Sequence, residues 1–299
     1  MTHQGTMQAW PTVGVVIPVY NDWSGLQQCL QALAAQTYPS GSFRVRVVDN
    51  GSSDWPGAWE FPLPVEVIRH SQPGSDGARN RAALDWSVEV LAFTDADCQP
   101  APDWLEQGVL ALASSGPARV VAGRIELQAQ RPDRPSLAEQ LDQILGFDQE
   151  RTVRRAGYGV TANLFVWQRH FEDLEGFRSK TRSGGDRDFC RRARAADFVL
   201  VYASACVVRH PARDWQGLLH KQRRIVGGRL SLATGAFIPR LTILLLSLRP
   251  LLSESWRVIR APSILPVRRL SLLALVLILR WNVLLEWLRL QFPGREPLR

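Results

Sequence analysis

The stretch Val90–Cys98, VLAFTDADC, joins an apolar run to two aspartates one residue apart, Asp95 and Asp97. The run VLAFT is short, continuous and apolar, which fits a strand buried on both faces. Like charges side by side repel unless something positive lies between or beside them. A buried strand that ends on two carboxylates therefore asks for a positive partner.

Working outward from that strand gives the fold class. The segment DGARNRAALDWSVE (76–89) before it has helical spacing, and VEVIRH (65–70) and RVRVVD (44–49) read as strands. Further upstream, NDWSGLQQCLQALAAQ places Leu26, Leu30 and Leu33 on one helical face, with Asp22 or Ser24 as N-cap. Val13–Val19 is a continuous β-branched run and predicts the first strand. Strands alternating with helices predict a parallel α/β sheet. Downstream the pattern becomes mixed. Strands are predicted at 119–127, 160–167 and 198–210, a short helix at 168–174, an amphipathic helix at 186–196, and a loop at QRPDRPS (130–136).

In open α/β sheets, ligands sit beyond the carboxyl ends of the strands. Asp49 ends the second strand, Asp95 and Asp97 end the fourth, and Pro18 and Tyr20 lie at the end of the first. All would converge on one crevice. Hard oxygen ligands there suit Mg²⁺ or Mn²⁺, with a diphosphate on the far side of the ion. An EF-hand loop beginning at Asp95 is excluded, because its sixth position is Pro100 and a strand precedes it. A second reading stays open, in which the two carboxylates cap the helix that PDWLEQGVLALA begins. No G-x-x-x-x-G-K-[ST] phosphate loop occurs.

The formal net charge of +8 is concentrated in one place. Residues 236–299 carry ten Arg and three Glu, a net of +7, which leaves +1 for residues 1–235. A basic tail on a near-neutral body argues against a nucleic-acid partner, which a basic surface across the fold would serve. The chain divides on this basis into a body, 1–235, and a hydrophobic helical tail, 236–299. Within the tail, LTILLLSL (241–248) is too short to span a bilayer, whereas LSLLALVLILRWNVLLEWLRL (270–290) is long enough. Ser271, Asn282, Glu286 and Arg289 share one sector of that helix, the pattern of a helix lying in the membrane interface. Arg280 lies on another side and counts against a clean span. The flanking arginines and Trp256, Trp281 and Trp287 favour an anionic lipid surface. The competing reading is a helix pair packed on the protein's own core. The start of the chain lacks the positive n-region of a secretory signal, so the body is expected at the cytoplasmic face of the membrane. The four scattered cysteines read as free thiols.

Six segments, taken in order, resemble the family 2 glycosyltransferases. They are VVIPVYND (15–22), VVDNGSSD (47–54), GSDGARNRA (74–82), FTDADCQPAPDWL (93–105), TANLFVWQRHFEDLEGF (161–177) and GGDRDFCRRARAADF (184–198). The resemblance covers residues 12–235 and implies the GT-A fold, a Rossmann-like mixed sheet flanked by helices. It implies that Pro18, Tyr20, Asp49 and Asn50 hold the nucleotide base, that Arg79 approaches ribose or phosphate, and that Asp95 contacts ribose. It implies Asp97 as a metal ligand, joined by His210, and Asp186 as general base. It further implies inverting transfer of a sugar from a nucleotide-diphosphate donor to a hydroxyl on a saccharide or lipid-linked acceptor, in polysaccharide, lipopolysaccharide or glycolipid synthesis.

The chain departs from the family pattern at two positions. Gly185 stands where the family's Glu-Asp pair has Glu, and Asn50 where many members have a second Asp. KQRRIVGG (221–228) lacks the Trp of the Q-x-x-R-W motif of processive synthases, so a single transfer is expected. Plainer readings remain beside these. Asn50–Gly51 is a tight-turn pair, Arg79 pairs with Asp76 on a solvated helix face, His210 is a histidine at a strand end, and Arg191, Arg192 and Arg194 form a solvated or phosphate-facing side of their helix. Two other functions fit the same residues: a nucleotide-sugar-binding protein without catalysis, and a sugar nucleotidyltransferase. The second lacks the Gly-rich, basic loop expected after the first strand.

Overall fold

The computed structural model of the chain describes residues 10–54, 60–114, 118–178, 184–231, 237–262, 264–292 and 295. Residues 1–9, on which the expectation of no leader rests, lie outside these. The elements run β1 (Val13–Val19), α1 (Trp23–Ala34), β2 (Phe43–Asp49), β3 (Val65–Arg69), α2 (Ser75–Ala83), β4 (Val90–Thr94), β5 (Gln99–Pro100), α3 (Trp104–Ala113) and β6 (Arg119–Gln128). They continue with α4 (Leu137–Leu145), α5 (Gln149–Arg151) and a π turn over Thr152–Ala156, then β7 (Asn163–Trp167), α6 (Gln168–Asp173), α7 (Gly185–Ala195) and β8 (Val199–Pro211). Four helices close the chain: α8 (Trp215–Ser231), α9 (Phe237–Leu248), α10 (Pro250–Arg260) and α11 (Pro266–Arg289).

The eight strands form one sheet in the order β3-β2-β1-β4-β7-β6-β8-β5. β1 is the hub of the first half. It pairs in parallel with β2, from Val13↔Phe43 to Val19↔Asp49, and in parallel with β4, from Val13↔Val90 to Val16↔Phe93. β2 pairs in parallel with β3. The register puts Val19 beside Asp49, so the loops after β1 and β2 leave the sheet at one level. β7 then runs antiparallel to β4, with Thr94 opposite Asn163, and β6 antiparallel to β7. The sheet is therefore mixed. The parallel prediction holds for β1–β4, of which β1 and β4 are apolar throughout because both faces are covered.

Local chemistry sets the boundaries. Asp22, not Ser24, caps α1, with its carboxylate accepting from Gly25 N. α2 stops at Ala83 although helical spacing continues toward residue 89. Leu84 turns extended, and Asp85 takes a left-handed φ of 56°. Those two residues drop the buried Trp86 against Gly14, whose missing Cβ leaves room for the ring.

The described residues fall into two compact units by their contacts. The first comprises 10–126, 149–178 and 184–209, and the second 127–148 and 210–295. In the first unit, Phe93 of β4 meets Phe171 of α6 and Phe177 at ring distances of 5.4 and 5.2 Å. Phe177 in turn meets Phe189 of α7 at 5.1 Å. Each such ring is fully buried and contributes roughly 1.5–3 kcal/mol by leaving water. This aromatic column ties the start of α7 to the end of β4.

In the second unit, α4 opens on a capping box between Ser136 and Glu139. Leu141, Leu218, Val258, Leu272, Val276 and Leu279 form one core, and Val226, Leu244, Val283 and Trp287 another. Buried Asp142 accepts from Arg213 N at 2.9 Å and lies 3.8 Å from Lys221. α11 is, among the described residues, the helix long and apolar enough to cross a bilayer by length and composition.

The polar residues of α11 do not stand where its sequence suggests. Glu286 is buried and pairs with Arg289. Arg280 is buried too, donating to Glu254 of α10 at 2.8 Å and to the Ser247 carbonyl of α9 at 2.9 Å. The outward side instead carries Leu277, Ile278, Trp281, Leu285 and Leu288. Two charged groups found partners inside the helix cluster, so the apolar side chains took the surface.

Candidate active site

The carboxyl ends of β1, β2 and β4 carry the residues that the sequence singles out. Loop stitching holds the first two ends together. Asn50 N donates to the Val19 carbonyl at 2.8 Å, Asn21 N donates to Ser52 Oγ at 2.9 Å, and Ser53 N donates to Asn21 Oδ1 at 2.9 Å. Asp49 is buried, and its Oδ1 accepts from Ser52 N at 2.9 Å, closing the turn through Gly51, which has φ 80°. The tight-turn reading of Asn50–Gly51 is thus correct and does not compete with a role in binding. Pro18 is half-buried, and Tyr20 is exposed at the mouth of the turn.

Asn50 links this group to the next. With its amide nitrogen facing the Gln72 carbonyl at 2.8 Å, its oxygen accepts from Gly74 N at 3.3 Å. Gly74 is the N-cap of α2 and holds a φ of 133°, a conformation open to glycine. α2 then presents Arg79, which is 5% exposed, so the solvated-face reading does not hold. Its Nη2 donates to Asp95 Oδ1 at 2.5 Å, and its Nη1 lies 3.6 Å from Asp76. A positive partner of Asp95 is therefore a guanidinium. Asp95 does not cap α3, whose N-cap is Asp103.

Asp97 is half-buried beside Cys98. Burial, with the Asp95 and Asp97 charges nearby, pushes the Cys98 thiol well above its ordinary pKa, so it stays protonated. Gln99 sits opposite Arg209 in the β5–β8 ladder, and His210 is the next residue of that strand. His210 is buried against the Phe147 ring, with Nδ1 2.7 Å from the Pro211 carbonyl. When Nδ1 carries the proton and donates there, Nε2 is the basic nitrogen, the arrangement common to metal-binding histidines.

α7 opens with two aspartates that differ in environment. Asp188 accepts from Arg191 at 2.8 Å and Arg192 at 2.9 Å, with Arg178 at 3.7 Å. These cations hold its pKa below the ordinary carboxylate value, although burial acts the other way. Asp186 has its pKa raised, chiefly by burial and also by the charge of Asp95, while the Arg187 backbone N–H and Arg79 oppose the shift. Arg191 and Arg192 thus serve Asp188 and do not form a free basic face.

Sequence reading passed over two residues. Asn80 accepts from Phe177 N at 2.8 Å and donates to its carbonyl at 2.5 Å, which fastens the segment before α7 to α2. Asp76 was seen only as a surface partner of Arg79, yet it is 7% exposed. Its i,i+3 spacing to Arg79 was the available signal.

A mixed α/β sheet with acidic groups gathered at the carboxyl ends of its parallel strands defines the class: a GT-A glycosyltransferase fold. A mannosyltransferase from Pyrobaculum calidifontis, solved with GDP-Man and Mn²⁺, shares that fold with a TM-score of 0.56 over 95% of this chain and 88% of that one, at 18% identity. The profile of glycosyl transferase family 2 matches residues 14–174. The glycosyltransferase AglE of Haloferax volcanii is 36% identical over 226 residues, covering 74% of this chain and 73% of that protein. The pre-mycofactocin glycosyltransferase of Mycobacterium tuberculosis is 29% identical over 218 residues, covering 68% of this chain and 44% of that protein. The chain belongs to glycosyltransferase family 2 and is a glycosyltransferase.

Proposed function

We propose that the protein is a metal-dependent, inverting, non-processive glycosyltransferase, moving one sugar from a nucleoside-diphosphate donor to an acceptor hydroxyl. In this reading residues 1–235 carry the transferase domain and residues 236–299 the membrane-associated tail. Pro18, Tyr20, Asp49 and Asn50 take the base, with Arg79 and Asp95 on the ribose and phosphate side. Asp97 and His210 hold Mg²⁺ or Mn²⁺. Asp97 offers a carboxylate oxygen and His210, with Nδ1 beside the Pro211 carbonyl, an imidazole nitrogen, ligands suited to Mn²⁺ in particular. Such an ion neutralises charge on a departing diphosphate.

The observation that carries the reading is the contrast within α7. Asp188 is committed to arginines, whereas Asp186, with its raised pKa beside Arg79 and Asp95, is the carboxylate suited to accept a proton from the acceptor hydroxyl. Removal of that proton lets the oxygen attack the anomeric carbon from the face opposite the leaving diphosphate, which inverts the centre. Asp186→Asn is expected to keep donor binding and to lose transfer by on the order of 10²–10⁴. Because Asp186 must be deprotonated and its pKa is raised, wild-type kcat/KM should fall on acidification at a pH above the ordinary carboxylate range. Donor binding lost in Asp186→Asn would refute the assignment.

The acceptor proposed is a saccharide or lipid-linked hydroxyl, in polysaccharide or glycolipid synthesis at the cytoplasmic face of a membrane. The outward apolar side of α11 and its inward-turned Arg280 support membrane association.

A further inference from the structure

Position 185 is occupied by a residue without a side chain, and the space next to it is filled. A Cβ placed on Gly185 would collide with the carboxylate of Asp76, which arrives from α2. Gly185 is buried, and Asp76 is 7% exposed. Asp76 thus sets a negative charge at the first turn of α7, where the helix N-terminus favours it. The same carboxylate lies 3.6 Å from Arg79 Nη1, while Arg79 Nη2 reaches Asp95 at 2.5 Å. Arg79 Nε is buried with no partner among the described residues, so the guanidinium has a donor beyond those that its two carboxylates use.

We propose that Asp76 is a positioning residue of the donor site, clamping Arg79 against Asp95 at the end of β4, and that Gly185 is glycine to admit the Asp76 carboxylate. The inference rests on the proposed reading that Arg79 and Asp95 face the donor nucleotide. An i,i+3 ion pair on an exposed helix does little. This one is buried, and removing Asp76 leaves Arg79 held by Asp95 from one side only, free to turn about that bond. Arginine acts through a planar fork whose aim matters as much as its charge. Asp76 fixes that aim from one side as Asp95 fixes it from the other.

The contact can be tested by moving the carboxylate across it. Thermal unfolding and calorimetric binding of UDP, GDP, dTDP and CDP with Mn²⁺ would be measured for Gly185→Ala, for Asp76→Gly with Gly185→Ala, and for Asp76→Gly with Gly185→Glu. Gly185→Ala should lower the unfolding temperature, and adding Asp76→Gly should restore it by relieving the clash. That restored protein should still bind its preferred nucleotide on the order of 10-fold more weakly, equivalent to about 1.4 kcal/mol. Asp76→Gly with Gly185→Glu, which returns a carboxylate from the other side, should recover affinity to within a few-fold. Wild-type affinity in the Ala/Gly protein would overturn the proposal, as would a folded Glu/Gly protein that stays weak. If the double variants do not fold, the isosteric Asp76→Asn decides: weakened binding supports the clamp and unchanged binding overturns it. A wild-type protein that binds none of the four nucleotides would instead refute the donor-site reading.

Discussion

Arg79 in the first unit and Arg280 in the second are buried almost equally, at 5% and 6% exposure, yet their surroundings differ in charge balance. Arg280 faces one carboxylate, Glu254, and one carbonyl, Ser247. Arg257 and Lys221 also act on Glu254, so positive charge gathers there, and the Arg280 bonds hold α9, α10 and α11 together. Arg79 faces Asp95 and Asp76, and its charge also acts on Asp186. Three carboxylates thus gather about one guanidinium. Buried charge in the second unit joins helices, whereas in the first it brings carboxylates together at the ends of strands, where perturbed groups mark candidate sites.

The comparison can be broken first at Arg280. Arg280→Ala should destabilise the second unit by about 3–5 kcal/mol, because two charge-assisted bonds of a buried guanidinium, to Glu254 and to the Ser247 carbonyl, are lost. Replacing Arg280 and Glu254 by apolar residues of similar volume should return most of that stability, read as the unfolding temperature in mild detergent. If the single substitution costs nothing, Arg280 does not tie the helices of the second unit together.

A smaller effect is expected on the outward side of α11. Leu277→Ser with Trp281→Ser removes two exposed apolar side chains and should weaken partition onto anionic vesicles by on the order of 10²-fold. The fold should be unchanged, since neither side chain enters the core. Unaltered vesicle binding would count against a lipid-facing surface there. A substitution test suits this helix better than deleting residues 237–299, because Leu244, Val258, Leu272 and Val276 form the cores of the second unit.

The smallest effect on turnover should come from Asp188. Asp188→Asn weakens charge-assisted bonds to Arg191 and Arg192 and should cost about 1–3 kcal/mol of stability, with transfer kept within a few-fold. An Asp188→Asn protein as inactive as Asp186→Asn would erase the distinction between them.

Much of the first unit was legible in the sequence. Continuous apolar runs gave β1 and β4 to the residue, because strands covered on both faces admit few polar side chains. The acidic cluster at the strand ends was legible for a related reason, since charge at the end of an apolar run is costly without a partner. What escaped depended on contacts distant in sequence. The early end of α2 is set by Trp86 packing under Gly14. The inward turn of Arg280 requires Glu254, twenty-six residues earlier. The burial of Asp76 requires Gly185, and neither position has a periodicity that announces the other. Helical spacing on α11 groups Ser271, Asn282, Glu286 and Arg289 in one sector, yet Ser271 is exposed and Glu286 buried, because burial follows partners that spacing does not show.

In the proposed reaction the acidic group at the end of β4 supports departure of a nucleoside diphosphate. Its most direct test is release of nucleoside diphosphate from a panel of sugar nucleotides in Mn²⁺, repeated with excess EDTA and with Asp97→Ala. The account predicts release with one donor in Mn²⁺, and its loss both on chelation and in Asp97→Ala, for transfer and for donor hydrolysis alike. Full turnover in EDTA and in Asp97→Ala would contradict it.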